Sequence, residues 1–157
     1  MKARSSEEEV KLSNIFSGVA GEYFVAAELS RMGYIASITL RNTRGVDILC
    51  SNAEATKSVG IQVKTNRSSA RDWMLNIKSE NYFSRNLFYV FVNLNYGQKH
   101  PEYFVVPSKV VAECVTKTHQ EWLKTPGKNG AVHRDTAMRK FSDAEEKYLN
   151  RWDLLGI

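Results

Sequence analysis

The chain has 157 residues, of which 43% are hydrophobic and 25% charged, with a formal net charge of +5 and two cysteines. That is the size of one domain and the make-up of an ordinary soluble globular protein. No apolar run approaches the roughly 20 residues that would cross a bilayer. The charged start "MKARSSEEEVKL" lacks the apolar segment of a secretory signal. Cys50 and Cys114 stand far apart without metal-type spacing, so a reduced, cytoplasmic setting is expected.

Residues 13–34 predict a helix, with Ser13 as N-cap and Gly33 at the C-terminal cap. At roughly 100° per residue, Ile15, Phe16, Val19, Ala20, Tyr23, Ala26 and Ala27 form one arc, expected to be the packing face. Glu22 lands on the edge of that arc, beside Leu29, whereas Glu28 is expected in solvent near Arg31. A carboxylate on a packing face pairs with a cation or holds a metal, so a salt bridge at the core rim is the plain alternative for Glu22.

Short strands are expected over 34–40, 46–51 and 59–65. Alternation places Val46, Ile48 and Cys50 on one face and Asp47 and Leu49 on the other; Ile61 and Val63 likewise oppose Gln62 and Lys64. A hairpin centred between Glu54 and Ala55 sets Asp47 across from Gln62, with Cβ atoms roughly 4.5–5.5 Å apart and Lys64 one step along. Further strands are expected over 73–77, 87–95 and 103–107, and a helix over 108–123 opens at Ser108. A loop over 125–140 and a closing helix over 142–155 complete the chain. This order defines an α/β (α+β) layer structure. No linker interrupts it, so 1–157 is expected to be one domain, with its core at about 13–124 and a loop and helix over 125–157.

Trp73, Tyr82, Phe83, Phe88, Tyr89 and Phe91 read as strand core, and His100, His119 and His133 show no ligand spacing. Nor is there a Gly-rich phosphate loop or a Ser-His-Asp arrangement. What stands out is an acid, an amide and an amine inside strand-like runs. A carboxylate beside a second oxygen ligand meets the minimum for Mg²⁺, and a nearby ammonium stabilises developing charge or orients water. Asp47, Gln62 and Lys64, with Glu22 as further ligand, therefore suit metal-assisted phosphodiester hydrolysis. Arg41, Arg44, Arg67 and Arg71 flank them at strand ends, where cations meet a phosphate backbone, and Ser68 can add hydrogen bonds. Lys124, Lys128, Arg134, Arg139 and Lys140 lie in or beside the later loop.

"GVDILC" followed by "IQVKT", with "GEYFVAAELSRMGY" ahead of them, resembles the PD-(D/E)XK nuclease superfamily of restriction endonucleases, junction resolvases and homing endonucleases. The resemblance runs from about Ser17 to Ser68, with looser support from the later strands and "YFVVPSKVV". It implies a restriction endonuclease-like core: a central mixed sheet of about five strands flanked by helices, the first helix preceding the catalytic hairpin. It also implies that Asp47 is the motif aspartate and a metal ligand, Lys64 the motif lysine, and Glu22 the helix glutamate of the resolvase-like branch. Gln62 stands where the family usually has an acid, and Val46 where it has proline. An amide oxygen holds Mg²⁺ less strongly than a carboxylate, so Glu22 is expected to supply the missing charge. The function implied is metal-dependent hydrolysis of DNA, with Mg²⁺ or Mn²⁺ as cofactor. An inactive nuclease-fold module that binds nucleic acid, and a protein-interaction domain with a satisfied polar network, are the alternatives. No membrane partner is expected. Cutting both strands of a duplex calls for two centres, which a homodimer would provide.

Overall fold

The computed structural model describes residues 14–40 and 44–157, so the expected Ser13 cap and Arg41 lie outside the described residues. Helix α1 (Asn14–Arg31) leads into strands β1 (Ile35–Ile38), β2 (Ile48–Ser51) and β3 (Ser58–Asn66). Then come β4 (Asp72–Asn76), β5 (Leu87–Asn93), β6 (Glu102–Pro107), helix α2 (Ser108–Lys124) and β7 (Met138–Ser142). Five strands make the central mixed sheet, in the order β1-β2-β3-β5-β6, while β4 and β7 pair in a separate ribbon. β3 and β5 run parallel and the other pairs antiparallel. Every residue of β5 is buried, as expected for a central strand covered on both faces. No helix among the described residues is long and apolar enough to cross a membrane.

One apolar layer lies between α1 and the sheet face carrying Ile48, Cys50, Ile61, Val63, Val90 and Val92. The other lies between the opposite face and α2 with the ribbon, where Trp73, Tyr89, Phe91, Phe104 and Phe141 gather. Burial pushes the Cys50 thiol up to about 11, so it remains a neutral core group.

Three expectations need correction. The buried stripe of α1 is Ser17, Gly21, Val25 and Leu29, on the opposite side of the helix from the predicted arc, whose Ile15, Phe16 and Tyr23 are exposed. Small Ser17 and Gly21 let the helix backbone approach the sheet, which a bulky arc could not. Glu28 is not a free solvated acid: its side chain is only 22% exposed and is paired with Arg31 at 2.6 Å. That hydrogen bond holds its carboxyl below the usual range, against a smaller effect of burial.

The third correction is the C-terminal segment, which is no appendage. β7 begins inside the stretch expected to be loop and runs past its end into the expected helix, pairing Trp73 with Phe141 and Leu75 with Arg139. The closing helix over 142–155 does not form. Asp143 accepts from the N–H groups of Lys147 (3.0 Å) and Tyr148 (2.9 Å), tying off a local turn. Glu146 and Asn150 take left-handed backbone, at φ 56° and 53°, which an α-helix cannot accommodate. Only a 3-10 turn, Trp152–Leu155, remains, and Trp152 and Leu155 pack into the α1-side core. The preceding loop is pinned to α2, with His133 stacked on Trp122 at 4.0 Å and His119 bonded to Asp135 at 2.8 Å.

Two arginines are committed to this architecture. Buried Arg139 pairs with Glu80 and donates to the Thr136 carbonyl at 2.6 Å. Arg71 bridges Glu102 (3.0 Å) and Glu146 (2.6 Å) and lies over the Phe104 ring. Burial disfavours the charged Glu102 carboxylate, but the hydrogen bond and charge of Arg71 outweigh it and hold that carboxyl below its ordinary 4.5. A depressed carboxyl contributes stability above its unfolded pKa and loses it as pH falls through the lower folded value. Arg71→Ala should thus cost about 1–3 kcal/mol at neutral pH. In urea titrations from about pH 6 to about pH 3, the gap between Glu102→Gln and wild type should narrow. A gap constant with pH would show that the pair contributes nothing.

Candidate active site

The centre is built where β2 and β3 diverge. The register Ile48–Ile61 through Ser51–Ser58, continued by one residue, sets Asp47 opposite Gln62 as the hairpin reading required. Asn52 secures the connecting turn, its side-chain oxygen accepting from the N–H groups of Thr56 (3.0 Å) and Lys57 (2.9 Å). Asp47 donates its own N–H to the Ile61 carbonyl at 2.8 Å. Its Oδ2 accepts the Val63 N–H at 2.7 Å. That bond fixes the carboxylate against the neighbouring strand and leaves its second oxygen for other work.

Gln62 and Lys64, half-buried on β3, line a cavity of about 630 Å³ bounded on the far side by the turn after β4. Arg44, Lys78, Tyr82 and Tyr89 share that lining. Tyr89 is the register neighbour of Gln62 on β5. Burial, with smaller effects from Tyr82 and the Asp47 charge, raises the Tyr89 phenol to about 12, so it is a neutral donor at physiological pH. Asp47 precedes Ile48, which faces α1, so alternation turns Asp47 toward the face that carries Tyr89. Gly45, beside Asp47 in the motif, has φ +68°, and a Cβ there would meet the Tyr82 ring at 2.4 Å. The Tyr82 hydroxyl donates to the Arg44 carbonyl at 2.9 Å. Glycine is thus required both by the turn and by the ring that covers it.

The structure therefore brings Gln62, Lys64 and Arg44 to one cavity and holds Asp47 on the adjacent strand through its bond to the Val63 N–H. Glu22 is half-buried and engaged by neighbours, on the helix that covers the other sheet face. Its turn lies close to β3, since a Cβ on Gly21 would fall 1.9 Å from Thr65 Oγ1. Arg67 and Ser68 follow β3, half-buried, with Ser68 Oγ accepting the Ala70 N–H at 3.3 Å. Arg71 is occupied by its two ion pairs. Among the described residues no group of three or more His, Cys, Asp or Glu converges. The donor set still fits one hard cation, because an aspartate and an amide oxygen suffice when waters and phosphate oxygens complete the shell. Sequence reasoning assigned Tyr82 and Tyr89 to the core and missed their place in the cavity wall; the only signal was tyrosine rather than phenylalanine in an apolar run.

Two solved structures share this architecture. A bacterial homing endonuclease, I-Ssp6803I, aligns with a TM-score of 0.53 at 15% identity, covering 92% of each chain. The Archaeoglobus fulgidus Holliday junction resolvase Hjc aligns with a TM-score of 0.52 at 14% identity, covering 88% of this chain and 95% of that one. No family model matches the sequence. No curated protein matches it either. The chain shares the fold of these two structures, a central mixed sheet of five strands flanked by helices.

Proposed function

We propose that the chain is a metal-dependent endonuclease that hydrolyses DNA phosphodiester bonds. What supports this reading is the strand register that, continued by one residue, sets Asp47 opposite Gln62, with Gln62 and Lys64 lining a cavity large enough for substrate. Asp47 and the Gln62 carbonyl would hold Mg²⁺ or Mn²⁺; the expected third ligand, Glu22, lies on the helix over the other sheet face and is not counted among them. When bound, the ion neutralises phosphate charge and makes its water more acidic. The Lys64 ammonium orients the attacking water and stabilises the charge that develops on the phosphoryl oxygens. Arg44, Arg67 and Ser68, with Arg41, contact the flanking phosphates and set the substrate against the centre. Two such centres in a homodimer would cut both strands.

The testing experiment is nicking of supercoiled, linear, branched and single-stranded DNA with Mg²⁺, with Mn²⁺ and with chelator. Cleavage that requires the divalent ion is expected. DNA affinity without cleavage in either metal would instead support a non-catalytic DNA-binding module, the reading that the neutral Gln62 favours.

A further inference from the structure

The cavity extends well beyond what a scissile phosphate requires. Its volume of about 630 Å³ falls within the roughly 300–1,000 Å³ of small-molecule sites. Its walls are aromatic and aliphatic, from Tyr82, Tyr89 and Leu75, while Arg44, Lys64 and Lys78 supply cations. Aromatic surface beside cations is the chemistry that receives a nucleobase together with its phosphate.

Tyr89 supplies an independent indication. It is 1% exposed, its ring stacks on Phe91 at 5.6 Å, and it lines the cavity. Among the described residues its hydroxyl has no hydrogen-bond partner, whereas that of Tyr82 is taken by the Arg44 carbonyl. That hydroxyl is not one of the sealed-off unpaired atoms among the described residues, so it is open to the cavity and free to meet a group arriving there. The edge of an intact duplex is too broad and stiff to reach a side chain only 1% exposed. A single nucleotide lifted out of the stack is not.

We propose that this cavity takes one unstacked nucleotide of the DNA strand, with the Tyr89 hydroxyl donating a hydrogen bond to it. The inference rests on the DNA-cleaving reading of the adjacent centre and narrows its substrate class to DNA with an unpaired nucleotide. Lifting out a base costs least where it is already unpaired, so such DNA should bind more tightly than a perfect duplex.

The test measures affinity in Ca²⁺ for three DNAs: a paired duplex, one with a single-nucleotide bulge, and one whose bulge is abasic. Wild type should bind the bulge about five- to tenfold more tightly than the paired duplex, and the abasic bulge should lose that preference. Tyr89→Phe keeps the ring packing. It should reduce the preference to about twofold or less, with Tm unchanged. Equal affinity for all three DNAs, or an undiminished preference in Tyr89→Phe, would overturn the proposal. Plasmid cleavage in Mg²⁺, scored separately, distinguishes the two failures. Cleavage with no bulge preference removes the pocket and leaves the nuclease; bulge preference with no cleavage does the reverse.

Discussion

Asp47→Asn is expected to slow Mg²⁺-dependent DNA cleavage by on the order of 10²–10³-fold while leaving the fold intact. Asp47 accepts a strand hydrogen bond and, in the proposed function, also holds the metal; this substitution separates the two. An asparagine oxygen still accepts the Val63 N–H that Oδ2 accepts at 2.7 Å, so the geometry of the strand pair survives. What disappears is the negative charge, and with it several kcal/mol of metal-mediated stabilisation, each ~1.4 kcal/mol being tenfold in rate. Asp47→Ala removes the acceptor as well and should cost about 1–3 kcal/mol of stability besides. Lys64→Ala should slow cleavage by a comparable 10²–10³-fold, on the order expected for a lost charge-stabilising donor. Glu28→Ala, a change far from the cavity, should leave the rate alone. Single-turnover rates with urea melts on the same variants decide the matter. An Asp47→Asn protein that cuts at the wild-type rate would remove the proposed centre.

The parts of this protein legible in its sequence are those set by short-range rules. Asn52 marks the turn by bonding to Thr56 and Lys57, and the alternation on either side then leaves only one register that buries Ile48 and Ile61 together. The run Leu87–Asn93 is apolar on both faces, so it had to be central. Residues whose role depends on a distant partner were not legible. Arg139 looks like a loop cation until Glu80 is seen beside it; once it counts as buried, Met138–Ser142 alternates as a strand should. The helical spacing of 142–155 is real, but the Asp143 side chain captures the N–H groups that a first helical turn would use. The α1 face was misread because large apolar residues were taken as the signal. Here the closest contact belongs to the smallest residue, and Ile15 and Tyr23 stay 67% and 65% exposed. At the site, Asp47, Gln62 and Lys64 could be placed from the hairpin alone. The tyrosine-lined wall could not, because the turn after β4 reaches it only through tertiary packing.

The same small residue sets up the second large effect. Gly21→Ala should destabilise the protein by about 1–3 kcal/mol, as overpacking does, although alanine in a helix interior ordinarily gains about 1 kcal/mol over glycine. The added Cβ would lie 1.9 Å from Thr65 Oγ1 and 3.0 Å from Thr65 Cβ. Because the near atoms include Cβ, a rotamer change alone does not relieve the clash, and α1 must move away from β3. Among the described residues Thr65 Oγ1 has no hydrogen-bond partner, so Thr65→Ala sacrifices no bond there and opens the space the new methyl needs. The double variant Gly21→Ala/Thr65→Ala should accordingly regain most of the lost stability, a coupling readable in a double-mutant cycle of urea melts. A single variant as stable as wild type would mean that α1 does not sit this close to β3.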